Sequence, residues 1–240
     1  DVFMATDQKG HGYVRHYIMD LGDCFGSVWS SDDMSRRLNH SYMLDVPYIA
    51  EDFVTLGLLE RPWERARQET EVFNYFSARD FDPELWRGEY PNPAFGRMTE
   101  ADGAWMARIL ARFTDELVRA VVEVGKYEPA SERYLIRTLI ARRDVILKRY
   151  LTRLSPLTDV TATTLSLCAT DLAREAGLVP GPARVCAPLE HLALSPSLSA
   201  HDPARYRIIE LHSDSAASPL RAHLYDLGPE HGYRLAGIER

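Results

Sequence analysis

One apolar stretch that runs into an acidic, glycine-rich turn constrains the fold of this chain most, and it occupies residues 13–27. Its first part, Y-V-R-H-Y-I-M, is dense in the aromatic and β-branched residues that favour strands. The alternation of side chains along a strand places His16, Ile18 and Asp20 on one face. The segment Asp20-Leu21-Gly22-Asp23 follows directly. The pattern predicts a buried strand that ends in a turn carrying carboxylates.

A second apolar run precedes this strand, and the pair predicts a β-hairpin. Val2–Thr6 is short and apolar, and the polar segment 7–12 that follows it contains two glycines. Two short apolar runs joined in this way are typical of antiparallel strands. A carboxylate at a strand end, followed by a glycine, can present oxygen ligands to a hard cation such as Mg²⁺. An ordinary Asp-X-Gly turn without a ligand is the alternative interpretation.

The order of hairpin, apolar strand and Asp20-Leu21-Gly22 resembles the segment of protein-kinase-like phosphotransferases that ends in their D-F-G motif. In those enzymes the Asp of the motif holds Mg²⁺ against the phosphates of ATP. The resemblance implies that Asp20 binds both metal and cofactor, with Mg²⁺ and ATP as cofactors and an unknown phosphate acceptor. It covers only the start of the chain, and Asp23 has no counterpart in it. The general base, the second metal ligand and the phosphate-anchoring lysine of such enzymes would precede Asp1, so we expect a C-terminal fragment that is inactive by itself.

Longer pieces of the chain resemble an uncharacterised bacterial protein family. The pieces are R-H-Y-I-M-D-L-G-D-C-F-G-S from Arg15, Y-P-N-P-A-F from Tyr90, F-T-D-E from Phe113 and A-R-R-D from Ala141. Their order along the chain makes the resemblance specific. It implies membership of that family but brings no established activity. It also implies an Asp and an Asn just upstream of the hairpin, spaced like those of a kinase catalytic loop.

Two other functional classes fit the same residues, so whether the chain is an enzyme stays open. His16, Asp20 and Asp23 could contribute to a transition-metal site in a metal-dependent hydrolase. The remaining histidines, however, show no ligand spacing such as H-E-x-x-H. Alternatively, the β-rich tail could make the chain a non-catalytic binding or structural module whose acidic turn holds Ca²⁺.

Composition and the absence of common motifs restrict which classes of partner and cofactor we expect for this chain. The 240 residues carry a formal net charge of −7, which disfavours a nucleic-acid partner bound through phosphate neutralisation. No apolar run approaches the ~18 residues of a membrane span. P-loop, G-x-G-x-x-G, G-x-S-x-G and C-x-x-C motifs do not occur, and we expect no haem, flavin or nicotinamide cofactor. The three cysteines, Cys24, Cys168 and Cys186, are widely spaced and form neither a disulfide framework nor a zinc motif. Their number is compatible with one disulfide. Localisation stays unknown.

The middle of the chain predicts loops tied down by aromatic side chains. Residues 28–47 are polar and predict a loop, in the place of an activation segment by the kinase resemblance. Phe53–Leu59 predicts a short strand or a helical turn, and Pro62 is expected to break any element there. Aromatic residues then recur with little periodicity, at Phe73, Tyr75, Phe76, Phe81, Trp86, Tyr90 and Phe95. We favour anchors that bury large areas over a groove for a sugar, peptide or base.

Apolar residues at three- and four-residue spacing predict helices in the next block. Thr99 is the expected N-cap of the first helix, and a helical stretch from Thr114 is expected either to continue it or to begin a second helix. The longest helix is expected over residues 131–154. Its basic residues are Arg133, Arg137, Arg142, Arg143, Lys148, Arg149 and Arg153. We favour a solvated face that pairs with nearby acids over a phosphate-facing patch, because the adjacent Arg142 and Arg143 point about 100° apart.

From residue 157 the sequence becomes β-rich. Leu165–Cys168 predicts a short strand, and Thr170 predicts the cap of a brief helix, followed by a proline-rich linker. Three final segments, Tyr206–Leu211, Arg221–Leu227 and Tyr233–Ile238, predict a three- or four-stranded antiparallel sheet.

These patterns together predict an α+β fold. A β-hairpin and a helical block, resembling a kinase-like C-terminal lobe, are followed by a small antiparallel sheet. Residues 1–155 are assigned to the hairpin, irregular loops and helical block, and residues 156–240 to a small β-rich accessory domain. Asp20 is the one predicted site residue, and the catalytic residues are unknown.

Overall fold

The computed structural model of the protein describes residues 2–16, 25, 32–79, 81–189 and 205–240. Contacts along the chain divide it into two compact units. Unit one comprises Asp1–Asp80 and Glu84–Asn92, and unit two comprises Phe81–Pro83 and Pro93–Arg240. The predicted domain boundary between residues 155 and 156 stays a prediction.

The α+β class is confirmed, since helices and antiparallel sheets occur in separate stretches. The elements of unit one are β1 (Val2–Thr6), β2 (Gly12–His16), α1 (Asp32–Arg37), α2 (Val46–Thr55) and a 3₁₀ helix (Pro62–Arg65). The helices of unit two are α3 (Pro93–Gly96), α4 (Glu100–Leu110), α5 (Asp115–Glu123), α6 (Pro129–Leu151) and α7 (Leu172–Glu175). Its strands are β3 (Leu157–Ala162), β4 (Ser166–Asp171), β5 (Arg184–Pro188), β6 (Tyr206–Leu211), β7 (Leu220–Asp226) and β8 (Tyr233–Glu239).

The predicted N-terminal hairpin is confirmed over the described residues. β1 and β2 pair antiparallel, with Val2 opposite His16. The Asp7 carboxylate accepts hydrogen bonds from the backbone N–H groups of Lys9 (2.8 Å) and His11 (2.9 Å). This Asx turn satisfies backbone donors that the chain reversal leaves outside the strand ladder.

Helices occupy part of the region predicted as a loop, so the loop prediction for residues 28–47 is wrong at 32–37 and at the start of α2. The pairing of Asp32 with Arg36, 2.9 Å apart and one turn along the helix, supports α1 locally, as do the acids at its start and the arginines at its end. α2 has Pro47 in its first turn, where a missing N–H leaves no helical hydrogen bond unmade.

Helix α2 continues into the segment Phe53–Leu59, for which a short strand or a helical turn was predicted. The helical alternative is confirmed, and the strand is wrong. It ends where Leu56 and Gly57 take left-handed φ values of 53° and 71°. Pro62 begins the 3₁₀ helix, so the expectation that it breaks any element there is also wrong. The fixed φ of proline suits the first helical position.

The helical block packs α4 and α5 against α6. The predicted N-cap Thr99 is confirmed, and Thr114, from which a helical stretch was expected, is the N-cap of α5. The Thr99 hydroxyl accepts a hydrogen bond from the Asp102 backbone N–H (3.3 Å), and the Asp102 carboxylate accepts one from the Thr99 N–H (2.8 Å). The Thr114 hydroxyl accepts from the Leu117 N–H (3.2 Å). These bonds satisfy donors that a helix start leaves free.

The β-rich region contains two three-stranded antiparallel sheets, β3-β4-β5 and β6-β7-β8. The three predicted final strands are confirmed in the second sheet. The first sheet includes part of the predicted linker, since Arg184–Pro188 forms the strand β5. This strand is too short for the periodicity of its side chains to be recognised in the sequence. The brief helix α7 is capped by Asp171, not by the predicted Thr170, which lies within β4.

The two sheets share one apolar core. Its buried members are Leu157, Leu167, Ala169, Leu189, Leu211, Leu220, Ala222, Leu224 and Tyr233. Cys168 and Cys186 lie directly opposite each other on β4 and β5, with Cα atoms 4.1 Å apart, and form a disulfide. In the part of the chain that the structure describes, no helix is both long enough and apolar enough to cross a bilayer.

Candidate functional site

The predicted metal ligand Asp20 lies outside the described residues, and so does Asp23. Strand β2 ends at His16, four residues before Asp20. The structure therefore describes no residue of the predicted Asp-Leu-Gly segment. It describes the strand pair that precedes the segment and the single residue Phe25 that follows it.

Phe25 contacts the aromatic core of unit one. Its ring meets those of Phe73 and Phe76 edge to face, at centroid distances of 5.8 Å and 5.3 Å. Both partners are buried, with exposed fractions of 1% and 7%. The chain shortly after the predicted metal-binding turn is therefore fixed by apolar contacts.

The predicted aromatic anchors divide into two groups. Phe73 and Phe76 are buried, and the Trp86 indole N–H donates to the side-chain oxygen of Asn39 (3.0 Å), as expected of anchors. Tyr90 and Phe95 are instead largely exposed, with fractions of 63% and 60%. The anchor interpretation fits the first group and not the second.

Tyr75 links its loop to α1. Its hydroxyl donates a hydrogen bond to the Asp32 carboxylate and accepts one from the Arg36 guanidinium (3.0 Å). Burial, together with the bond to Asp32, raises the pKa of Tyr75, and the bond from Tyr75 lowers the pKa of Asp32. The phenol therefore stays protonated and serves as a structural donor.

Arg61 joins α2 to the 3₁₀ helix. Its side chain is only 10% exposed, and its guanidinium lies 2.7 Å from the Asp52 carboxylate and 3.1 Å from that of Glu51. It also lies over the Tyr48 ring, 4.6 Å from the centroid. Burial lowers the pKa of Arg61, but the hydrogen bonds to Asp52 and Glu51 outweigh burial and raise it. This buried cation is neutralised by its neighbours and holds the fold together.

A surface pocket of about 330 Å³, including its open mouth, lies beside α1. The residues that line it are Met34, Arg37, Leu38, Ser41, Tyr42, Met43 and Glu89. The Arg37 guanidinium donates to the Ser41 hydroxyl and to the Tyr42 carbonyl, both at 3.4 Å. The part of this volume that can hold a ligand is only about 40 Å³, well below the range for ligand pockets.

The ligand set of the hydrolase hypothesis is not described, because two of its three residues, Asp20 and Asp23, lie outside the described part. Among the residues that are described, no group of three or more His, Cys, Asp or Glu side chains could hold a metal ion.

Two arginines of the basic helix α6 pair with acids of neighbouring helices. The Arg149 guanidinium contacts both Glu100 carboxylate oxygens (2.6 and 3.0 Å). Arg143 donates to the Asp115 carboxylate (2.8 Å). Their side chains are 15% and 11% exposed, so these pairs lie between helices rather than on a solvated face.

Arg142 differs from these two arginines. Its guanidinium lies over the Phe81 ring, 4.0 Å from the centroid. Burial lowers the pKa of Arg142 to about 10. The favoured prediction, that basic residues of this helix pair with nearby acids, therefore holds for Arg143 and Arg149. Their side chains are more buried than the predicted solvated face.

A fully buried carboxylate network of unit two, built on Asp171, is structural. Asp171 has no exposed surface, and one carboxylate oxygen accepts from the backbone N–H groups of Ala173 (2.9 Å) and Arg174 (3.1 Å). The other oxygen accepts from the hydroxyls of Ser213 and Ser215, the latter at 2.6 Å. A carboxylate with these four donors is fully used in capping α7 and tying down the loop after β6.

One constellation in the β-rich region was not predicted from the sequence. Tyr206, His223 and Glu239 lie on the adjacent strands β6, β7 and β8. The Tyr206 hydroxyl is hydrogen-bonded to Nδ1 of His223, and Nε2 of His223 lies 3.4 Å from a Glu239 carboxylate oxygen. No sequence spacing signals it, because strand pairing brings the three residues together.

Comparisons of the chain with protein-family models, with curated proteins and with solved structures gave no match.

Proposed function

We propose that the chain is the C-terminal part of a kinase-like phosphotransferase that uses Mg²⁺ and ATP, with Asp20 as a metal ligand. The observation that carries the proposal is the order of hairpin, strand and Asp20-Leu21-Gly22 along the chain. The antiparallel pairing of β1 with β2, described as far as His16, four residues before Asp20, supports it.

The donor chemistry of the segment fits the proposed ion. A carboxylate supplies the hard oxygen that Mg²⁺ prefers, and Gly22 permits the close approach of a phosphate group. Bound Mg²⁺ would neutralise the charge that develops on the phosphates during transfer. Asp20 would hold the ion, while the β1–β2 ladder before it and the Phe25 contacts after it fix the flanking chain.

The proposal is tested by thermal unfolding of the full-length gene product that contains this chain, with Mg²⁺ and ATP added singly and together. We expect Mg²⁺–ATP to stabilise the wild type, because a ligand that binds only the folded state adds about 2.7 kcal/mol at a hundredfold excess over its Kd. Asp20→Asn should abolish this stabilisation, since an amide replaces the charged ligand.

Asp23→Asn is the matched control, because Asp23 lies three residues away and has no counterpart in the kinase motif. It should keep the Mg²⁺–ATP stabilisation. No stabilisation of the wild type, or equal losses in both variants, would contradict the proposal. Stabilisation by Zn²⁺ or Mn²⁺ that does not depend on ATP would instead favour the metal-dependent hydrolase.

A further inference from the structure

The outer face of the sheet β6-β7-β8 carries the constellation of Tyr206, His223 and Glu239. The neighbours of His223 along β7, Ala222 and Leu224, have no exposed surface and belong to the core. Since side chains alternate along a strand, His223 projects to the opposite, outer face. Tyr206 on β6 and Glu239 on β8 reach it from the two flanking strands.

The charge on Glu239 favours one direction of proton donation. The buried Nε2 of His223 makes no hydrogen bond, but a Glu239 carboxylate oxygen lies 3.4 Å away, and its negative charge favours the tautomer with the proton on Nε2. In a neutral imidazole the other nitrogen, Nδ1, is then an acceptor. In that tautomer the Tyr206 hydroxyl donates to Nδ1. This is the order of nucleophile, base and orienting acid that activates hydroxyl nucleophiles in enzymes.

The nucleophile is accessible while the base is shielded. The Tyr206 residue is 46% exposed, whereas the His223 side chain is 13% exposed. The residue opposite His223 on β8 is Gly237, and a side-chain carbon built there would meet no other atom. The face beside the imidazole is thus open to a reagent that approaches the Tyr206 oxygen.

We propose that Tyr206 is an activated nucleophile that accepts an acyl group, with His223 as its base and Glu239 as a positioning residue. In this step the phenolic oxygen forms a bond to the carbonyl carbon of an activated acyl donor, and the bond from that carbon to its leaving group breaks. The phenolic proton passes to Nδ1 of His223 and then to the leaving group. The nearby Glu239 carboxylate repels anions, which favours a neutral acyl carbon over a phosphate.

This proposal goes beyond the phosphotransferase proposal and shares no residue with it. The test is site-resolved acetylation by N-acetylimidazole, followed by peptide mass spectrometry. Tyr90 is the internal reference, because it is 63% exposed and its hydroxyl contacts only the Met43 sulfur in the structure described. Exposure alone predicts faster acetylation of Tyr90. We expect Tyr206 to react about tenfold faster than Tyr90, a modest share of the ~10²-fold or more that a positioned base contributes in enzymes.

Substitutions on the same sheet identify the base. His223→Phe should lower the Tyr206 rate to that of Tyr90 or below it. His231→Phe, in the exposed turn between β7 and β8, is the matched control and should leave the rate unchanged. A Tyr206 rate no higher than that of Tyr90 in the wild type, or an unchanged rate in a folded His223→Phe variant, would overturn the proposal.

The role of Glu239 needs its own readout. Glu239→Gln should slow Tyr206 acetylation at unchanged melting temperature, and Glu239→Asp should restore most of the rate, because it restores the negative charge that glutamine removes. The exposed Glu230 in the neighbouring turn is the control position, and Glu230→Gln should have no effect. Equal rates for Glu239→Gln and the wild type would remove Glu239 from the site.

Discussion

At the scale of single residues, Gly103 decides how closely α4 can approach α6. A Cβ atom placed on Gly103 would lie 2.3 Å and 2.5 Å from two ring carbons of Tyr150. Tyr150 is itself 6% exposed and packs among the core residues Ala107, Leu147 and Leu151. A densely packed ring of this kind has little room to move aside.

Replacement of this glycine gives the first residue-scale prediction. We expect Gly103→Ala to lower the free energy of unfolding by about 1–3 kcal/mol through overpacking, although alanine favours helix over glycine by about 1 kcal/mol. The change is measured by urea denaturation. Gly96→Ala in α3 is the control, because a Cβ there meets no other atom. Equal or greater stability of Gly103→Ala would show that α4 and α6 are not in close contact.

Single residues also show where sequence reasoning loses the site. Asp20 was predicted from a local signal, a carboxylate and a glycine after an apolar strand, and it stays a prediction because it lies outside the described residues. The contact of Tyr206 with His223 spans 17 residues and depends on the register of two strands. That register depends on which residues enter the core, so it could not be read from spacing along one segment.

At the scale of elements, local sequence signals predicted the structure correctly where one side chain could bond to a backbone group close by in the chain. The Thr99 cap was predicted from a side chain that bonds to a nearby backbone group, and the helical stretch from Thr114 is capped in the same way. The side-chain bonds of Asp7 in the turn after β1 were not predicted. α1 was missed because it is short and polar and is held by contacts such as Arg36 with Tyr75, 39 residues away. Tertiary contacts of this kind override a weak local pattern.

The disulfide between β4 and β5 supplies the element-scale prediction. It closes a loop of 18 residues, and the double substitution Cys168→Ser with Cys186→Ser should therefore lower stability by about 3 kcal/mol. Cys186 is exposed, so dithiothreitol should lower the stability of the wild type in the same way. The readout is the guanidinium midpoint with and without the reductant.

Two controls accompany this measurement. The double serine variant should not respond to dithiothreitol, and Cys24→Ser should keep the wild-type response because Cys24 is not part of the bond. A wild type that is insensitive to the reductant and equal in stability to the double variant would contradict the pairing.

At the scale of the whole molecule, the two proposals concern different units. Asp20 falls within the sequence range of unit one, and Tyr206, His223 and Glu239 fall within that of unit two. We expect Asp20→Asn to leave the acetylation rate of Tyr206 unchanged and His223→Phe to leave the Mg²⁺–ATP stabilisation unchanged, because substitutions without shared partners act additively. Each variant is measured in both assays, and a cross effect above experimental error would reveal coupling.

The link between Leu157 and Arg240 has a consequence for how the protein is made. The Leu157 carbonyl accepts two hydrogen bonds from the Arg240 guanidinium (3.3 and 2.8 Å), 83 residues further along the chain. Leu157 also shares its core with Tyr233 of β8. At a translation rate of ~5–20 residues per second, β3 therefore waits several seconds on the ribosome for the strand that completes its core. During that interval its apolar side chains are open to chaperones or to aggregation with neighbouring nascent chains.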